Sequence, residues 1–313
     1  MDAPGRIVVS GLTKRFGQIL AVNDLSFTVE PGSVTGFLGP NGAGKTTTMR
    51  SLLGLVRPTA GTATIGGQRY AEIKQPLRAV GAVLEASAFH PARSARNHLR
   101  IYCAANSLPD RRADEVLDIV GLGDAARRKV RGFSLGMRQR LGLAFALLGE
   151  PQVLILDEPA NGLDPDGIRW LRGFMRQYAD NGRTVLVSSH LLGEVEQVAD
   201  RVIILARGRL VREGTLAELR SGQSTSVLVR SPQTDKLTDE IRQLTGNEVT
   251  RVGPGELRVS GVDAAAVGHA AFVAGIELHE LATQRSDLED IFLQLTGNAD
   301  ATSPTATTSG GPA

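Results

Sequence analysis

With 313 residues, of which 42% are hydrophobic, the chain is long enough for two packed domains of about 150 residues each and reads as a folded, soluble protein. A net charge of +2 with only 9 Phe, 3 Tyr and 1 Trp argues against a general nucleic-acid binder, and the single cysteine, Cys103, excludes an intrachain disulfide. The apolar runs Leu141–Leu148 and Val202–Ala206 fall short of the ~18 residues a membrane-spanning helix needs, and MDAPGRIVVSGL lacks the basic-then-apolar order of a secretory leader. The cytosol is the expected compartment, with Cys103 as a buried structural thiol.

In chain order, residues 7–38 alternate β-rich runs (IVVSGL, LSFTVEPG, VTGFL) with Gly and Pro breaks, and the last run feeds a glycine-rich loop. The pattern turns helical at Gly44, returns to strands at Thr62–Ile65 and Val80–Leu84, and reads as helical throughout 94–130. An apolar helix over about 135–148 precedes the strand VLILD (153–157). A helix at about 166–180, a strand at Thr184–Ser188, a helix at about 191–199 and a strand at Arg201–Leu205 follow. Such alternation predicts a mostly parallel sheet wrapped by helices. Residues 224–296 give a second pattern, strand–helix–two strands–helix–strand–helix, close to a small ferredoxin-like α+β unit. The final GNADATSPTATTSGGPA has no periodicity and is expected to be disordered. Charge separates the same two parts: residues 1–220 carry a net +8 and residues 221–313 a net −6.

Gly39-Pro40-Asn41-Gly42-Ala43-Gly44-Lys45-Thr46 matches G-x-x-x-x-G-K-[ST] between a predicted strand and a predicted helix. Glycines let successive backbone N–H groups turn toward phosphates, and the helix N-terminus adds positive potential. Lys45 is expected to reach the β- and γ-phosphates and the Thr46 hydroxyl to bind Mg²⁺, with Thr47 beside them in the nucleotide site. Val153-Leu154-Ile155-Leu156-Asp157-Glu158 is an apolar strand that delivers two carboxylates to the carboxyl edge of the sheet. Asp157 is assigned to Mg²⁺ and Glu158 to polarising the attacking water.

Phe133-Ser134-Leu135-Gly136-Met137-Arg138-Gln139-Arg140, whose serine stands 23 residues before Asp157, resembles the LSGGQ signature of ABC (ATP-binding cassette) ATPases. Leu135 and Met137 depart from that pattern and look like the variants of bacterial daunorubicin- and bacitracin-resistance exporters. Ser134 precedes a predicted helix, where it can bind a γ-phosphate or serve only as an N-cap. Asn161-Gly162-Leu163-Asp164 resembles the family's D-loop, or is a turn ahead of Pro165. Ser188-Ser189-His190 resembles the switch-histidine loop. By the same resemblance Phe16 is an adenine platform, unless it is a core residue. Glu85 stands where the family has its Q-loop glutamine, as a metal contact or as part of a permease-sensing loop. Residues 93–140 carry a net +6, which suits a permease or anionic lipid contact, or a solvated face.

The resemblance implies an α/β P-loop ATPase core over 1–220, with an N-terminal antiparallel β subdomain and a helical subdomain at about 90–150. A small α+β accessory domain over 221–297 and a tail over 298–313 complete the chain. It further implies a Mg²⁺-dependent ATPase acting as a homodimer, in which each ATP lies between one phosphate loop and Ser134-Leu135-Gly136 of the other copy. A separate integral membrane permease would be driven from the cytoplasmic face of the cell membrane to export a drug or antibiotic-like substrate. The competing reading, a non-transport ABC ATPase acting on ribosomes or DNA, lacks the two cassettes or coiled-coil insertions typical of such proteins.

Overall fold

A computed structural model of the chain describes residues 3–84, 89–221, 226–245, 247 and 249–284. The first part runs β1 (Ile7–Phe16), β2 (Ile19–Val29), β3 (Val34–Leu38), α1 (Lys45–Leu52), β4 (Ala60–Ile65), α2 (Pro76–Ala79), β5 (Val80–Val83), α3 (Ala95–Ala105) and α4 (Arg111–Ile119). It continues through α5 (Leu135–Ala146), β6 (Val153–Asp157), α6 (Pro165–Asp180), β7 (Thr184–Ser189), α7 (Leu192–Val195), β8 (Arg201–Ala206), β9 (Arg209–Thr215) and α8 (Leu216–Ser221). Strands β2-β1-β4 form an antiparallel sheet. The order β5-β6-β7-β3-β8-β9 forms a second sheet, parallel except for β9 against β8.

Every residue of β3, β6 and β7 is buried. That explains why VTGFL and VLILD read as continuous apolar runs: helices and the antiparallel sheet cover both faces, so alternation is lost. Parallel strands finish at one edge, and the register places Leu38 beside Ser189 and Asp157 beside Ser188. The loop leaving β3 and the acids ending β6 therefore share one rim. Helix α6 starts where Asp164 accepts the N–H of Gly167 at 2.9 Å and Pro165 presets the first helical φ. Its apolar stripe buries Leu171, Met175 and Tyr178 against the sheet.

Three departures from the expected elements stand out. Residues 94–130 are not helical throughout: α3 ends where Ser107 adopts φ 56°, and Pro109 precedes α4. Segments 91–96 and 126–131 then run alongside each other, with Val130 N donating to Arg93 O at 3.0 Å and Arg96 N to Ala126 O at 2.9 Å. The sequence reading also misses β9, an exposed edge strand reached through a tight turn in which Arg207 (φ 49°) and Gly208 (φ 75°) both take positive φ. Arginine is an unusual residue for that conformation, which hides the hairpin. The helix expected at 191–199 is regular only over Leu192–Val195.

A second compact unit begins at Ala217, so that all of α8 but Leu216 falls within it. Here β10 (Ser226–Arg230), α9 (Thr234–Thr245), β11 (Val249–Gly253), β12 (Glu256–Ser260), α10 (Ala264–Val273) and β13 (Glu280–Gln284) form an antiparallel sheet in the order β11-β12-β10-β13. This is the ferredoxin-like βαββαβ arrangement. Its core, which includes Val227, Val229, Leu237, Ile241, Leu257 and Val267, draws on this unit alone. The helix expected over Ser286–Leu295 and the tail over 298–313 lie outside the described residues. Among the described residues no helix is long and apolar enough to cross a membrane.

Candidate active site

Residues 39–44 bend tightly from β3 into α1. Gly44 has φ 102°, and a Cβ there would meet Ala21 O at 2.6 Å, so the loop closes on β2 only because a glycine stands there. Pro40, Asn41 and Gly42 are exposed on the rim, Gly39 and Ala43 are buried, and Thr46 and Thr47 are half-buried. Ala43 O accepts the N–H of Gly208 at 3.0 Å, tying the loop to the β8–β9 turn.

Lys45 lies buried at the start of α1. Its Nζ donates to Gly39 O at 2.6 Å and stands 3.4 Å from Glu158 Oε1. The Thr46 hydroxyl donates to Asp157 Oδ2 at 2.6 Å, and the Ser188 hydroxyl donates to Asp157 Oδ1 at 2.5 Å. Each oxygen of this buried carboxylate is thus held by one hydroxyl. Glu158 Oε2 lies 2.9 Å from His190 Nδ1. Lys45 and His190 therefore flank one carboxylate from two different elements. Ser189 shapes the histidine's loop, accepting the N–H of Leu191 at 3.0 Å and donating to Glu194 Oε2 at 2.9 Å.

Ser134 caps α5, its hydroxyl accepting the N–H of Met137 at 3.2 Å. Leu135 is exposed and rests on Gly162, and a Cβ on Gly136 would lie 3.1 Å from Gly162 O. Signature and D-loop residues therefore touch within one chain. They line an open cleft of about 630 Å³ that includes Ser134, Leu135, Gly136, Arg140, Gly162 and Asp164. Among the described residues no hydrogen bond or ion pair joins 134–137 to the loop at 39–47.

Phe16 is an exposed residue at the tip of the β1–β2 hairpin, with the Lys14 ammonium 4.7 Å from its ring centre, so it is not a core residue. Glu85 lies outside the described residues. Ser188 and Gln139 stand in the motifs quoted from the sequence, but no role of their own is read for either there. Gln139, buried on α5, points its amide at Glu158 O at 3.5 Å. A polar pair ending the otherwise apolar TVLVSS is the signal that marks Ser188.

Known proteins resemble this chain over most of its length. A family described as ABC transporter matches residues 22–161, and a domain of unknown function matches residues 225–289. The chain is 38% identical over 307 residues to the bacitracin transport ATP-binding protein BcrA of Bacillus licheniformis, covering 93% of this chain and 97% of that one. It is 36% identical over 311 residues to the daunorubicin resistance ATP-binding protein DrrA3 of Streptomyces coeruleorubidus, covering 93% and 96% respectively. The chain belongs to the ABC transporter ATP-binding proteins. A solved ATP-binding subunit of an ABC transporter superposes with a TM-score of 0.63 at 30% identity, over 69% of this chain and 92% of that one. A dimeric cassette described as bound to ADP and Pi shares the fold at a TM-score of 0.61 and 23% identity, over 67% of this chain and 98% of that one. As a member of this family, the chain is an ATPase whose nucleotide is ATP.

Proposed function

We propose that this ABC ATPase works as a homodimer on the cytoplasmic face of the cell membrane, driving a separate permease that exports a drug or antibiotic-like substrate. The relatives named for bacitracin transport and daunorubicin resistance, matched over nearly their whole length, support the cargo class. The observation that carries the mechanism is Glu158, held between Lys45 at 3.4 Å and His190 at 2.9 Å.

In this reading the N–H groups of Gly42 to Thr46 and the α1 N-terminus take the phosphates, and Lys45 exchanges its contacts with Gly39 and Glu158 for β- and γ-phosphate oxygens. The paired Thr46 hydroxyl and Asp157 carboxylate are hard oxygen donors of the kind Mg²⁺ prefers, and 2.6 Å between them suits a shared ligand. Bound there, Mg²⁺ would neutralise charge on the phosphates. Glu158 takes a proton from water as its oxygen attacks the γ-phosphorus, the bond to the β–γ bridging oxygen breaks, and ADP and phosphate leave. His190 holds the Glu158 carboxylate in place and faces the γ-phosphate. Phe16 stacks on adenine.

Leu135 and Gly136 pack against their own D-loop region, and among the described residues no hydrogen bond or ion pair joins residues 134–137 to their own phosphate loop, which supports contact with a second copy's nucleotide. Binding then closes the dimer, and loss of phosphate opens it, the motion a permease can use.

Two variants test the site. Lys45→Ala is expected to lower ATP affinity about tenfold or more, since a charge-assisted phosphate contact is lost. Glu158→Gln is expected to keep affinity, lose roughly 10²- to 10⁴-fold in turnover and elute as a dimer with ATP in size-exclusion chromatography. Glu158→Gln hydrolysing ATP at the unaltered rate would overturn the assignment of the base.

A further inference from the structure

We propose that Ser188 is a positioning residue for hydrolysis: its single hydroxyl holds Asp157 and Glu158 in the two different orientations one site requires. The proposal rests on the reading of Glu158 as the base.

Successive residues of a strand point to opposite faces of the sheet. Asp157 and Glu158 therefore cannot serve the same rim while strand geometry continues. The chain leaves that geometry at Glu158, which takes φ 48°, a left-handed conformation that a non-glycine residue adopts only when its surroundings hold it there. Ser188, wholly buried on β7 and in register with Asp157, supplies the hold. Its Oγ accepts the Glu158 N–H at 2.9 Å and donates to Asp157 Oδ1 at 2.5 Å. The Glu158 carbonyl is tied separately, to Asn161 N at 3.2 Å and the Gln139 amide at 3.5 Å. Ser188 alone among these contacts reaches both acids.

A hydroxyl donates and accepts at the same time, and serine is the smallest side chain that does so. Alanine would leave the Glu158 N–H without its partner and Asp157 Oδ1 without its donor. The Glu158 peptide is then free to relax toward extended geometry, which carries its carboxylate away from His190. Among the described residues Ser188 makes no hydrogen bond to the phosphate loop, so nucleotide affinity is expected to survive while turnover falls.

The test uses the full chain, steady-state ATPase kinetics and binding of a fluorescent N-methylanthraniloyl-ATP. Ser188→Ala is expected to lower kcat roughly 10- to 100-fold, with KM and analogue affinity within about twofold. Ser188→Thr, which keeps the hydroxyl, is expected to recover most of kcat. Ser188→Cys, with nearly the same volume and a weaker donor, is expected to fall between and guards against a poorly packed threonine. In a Glu158→Gln background, Ser188→Ala is expected to lower the residual rate by clearly less than in the wild type, because the Glu158 carboxylate is gone and only the hold on Asp157 remains. Wild-type kcat in Ser188→Ala, an equal loss in both backgrounds, or a parallel loss of analogue affinity would each overturn the proposal. Failure of the underlying reading looks different: Glu158→Gln itself would turn over ATP normally.

Discussion

Gly44 shows how much a single position can carry. Its φ of 102° and the 2.6 Å that would separate a Cβ from Ala21 O make any larger residue costly twice, through torsion and through overlap. Gly44→Ala is expected to destabilise the chain by about 1–3 kcal/mol, read as a lower midpoint in urea denaturation, and to weaken ATP binding. An unchanged midpoint would mean that β2 yields at Ala21. This glycine was legible in the sequence because the phosphate-loop spacing demands it. The φ of 48° at Glu158 was not, since glutamate has no preference for that region and the conformation is imposed by Ser188, which is 30 residues away.

Among the elements, α5 carries two separable roles at its first turn. Ser134 caps the helix through Met137 N at 3.2 Å and also opens on the cleft shared with Gly162 and Asp164. Ser134→Ala is expected to cost about 1 kcal/mol of stability, as loss of an N-cap does, whether or not a nucleotide contact exists. Its effect on ATP-dependent dimerisation of the Glu158→Gln protein is the separate measurement: an intact dimer would leave only the cap. Helix α3 supplies a pH-dependent element. His98 is buried with Phe89 and Tyr102 close by, its Nδ1 has no hydrogen-bond partner among the described residues, and burial, then the charges of Arg93 and His90, holds its pKa below 6.5. The folded state thus favours neutral imidazole, whereas the unfolded chain takes up the proton first as pH falls. Its contribution is complete above about pH 6.5 and declines below it. The melting temperature is expected to fall between about pH 7 and pH 5, with a shallower slope in His98→Phe. Equal slopes for the two proteins would contradict this account.

For the molecule as a whole, the cores are separate. Two apolar clusters draw on residues between Ile7 and Leu205, and the third draws on Val227 to Ile276. A chain ending at Ser221 is therefore expected to melt cooperatively and to bind ATP, while the full chain shows two calorimetric transitions. A fragment unable to bind nucleotide would show that the first core depends on the second.

The motifs readable in the chain are those whose demands are local. The glycine spacing of 39–44, the apolar run 153–157 and the cap residues Ser134 and Asp164 each follow from a few neighbouring backbone torsions and hydrogen bonds, which any reading of adjacent residues can find. What required folded strands was the lateral register. Asp157 meets Ser188 across a sheet, and Glu158 meets Lys45 and His190 from two other parts of the chain. Such pairings join residues far apart in sequence, and neither side chain of a pair has a preference that announces the other. The identity of each chemical group was therefore written locally, while the atom it faces was settled by packing.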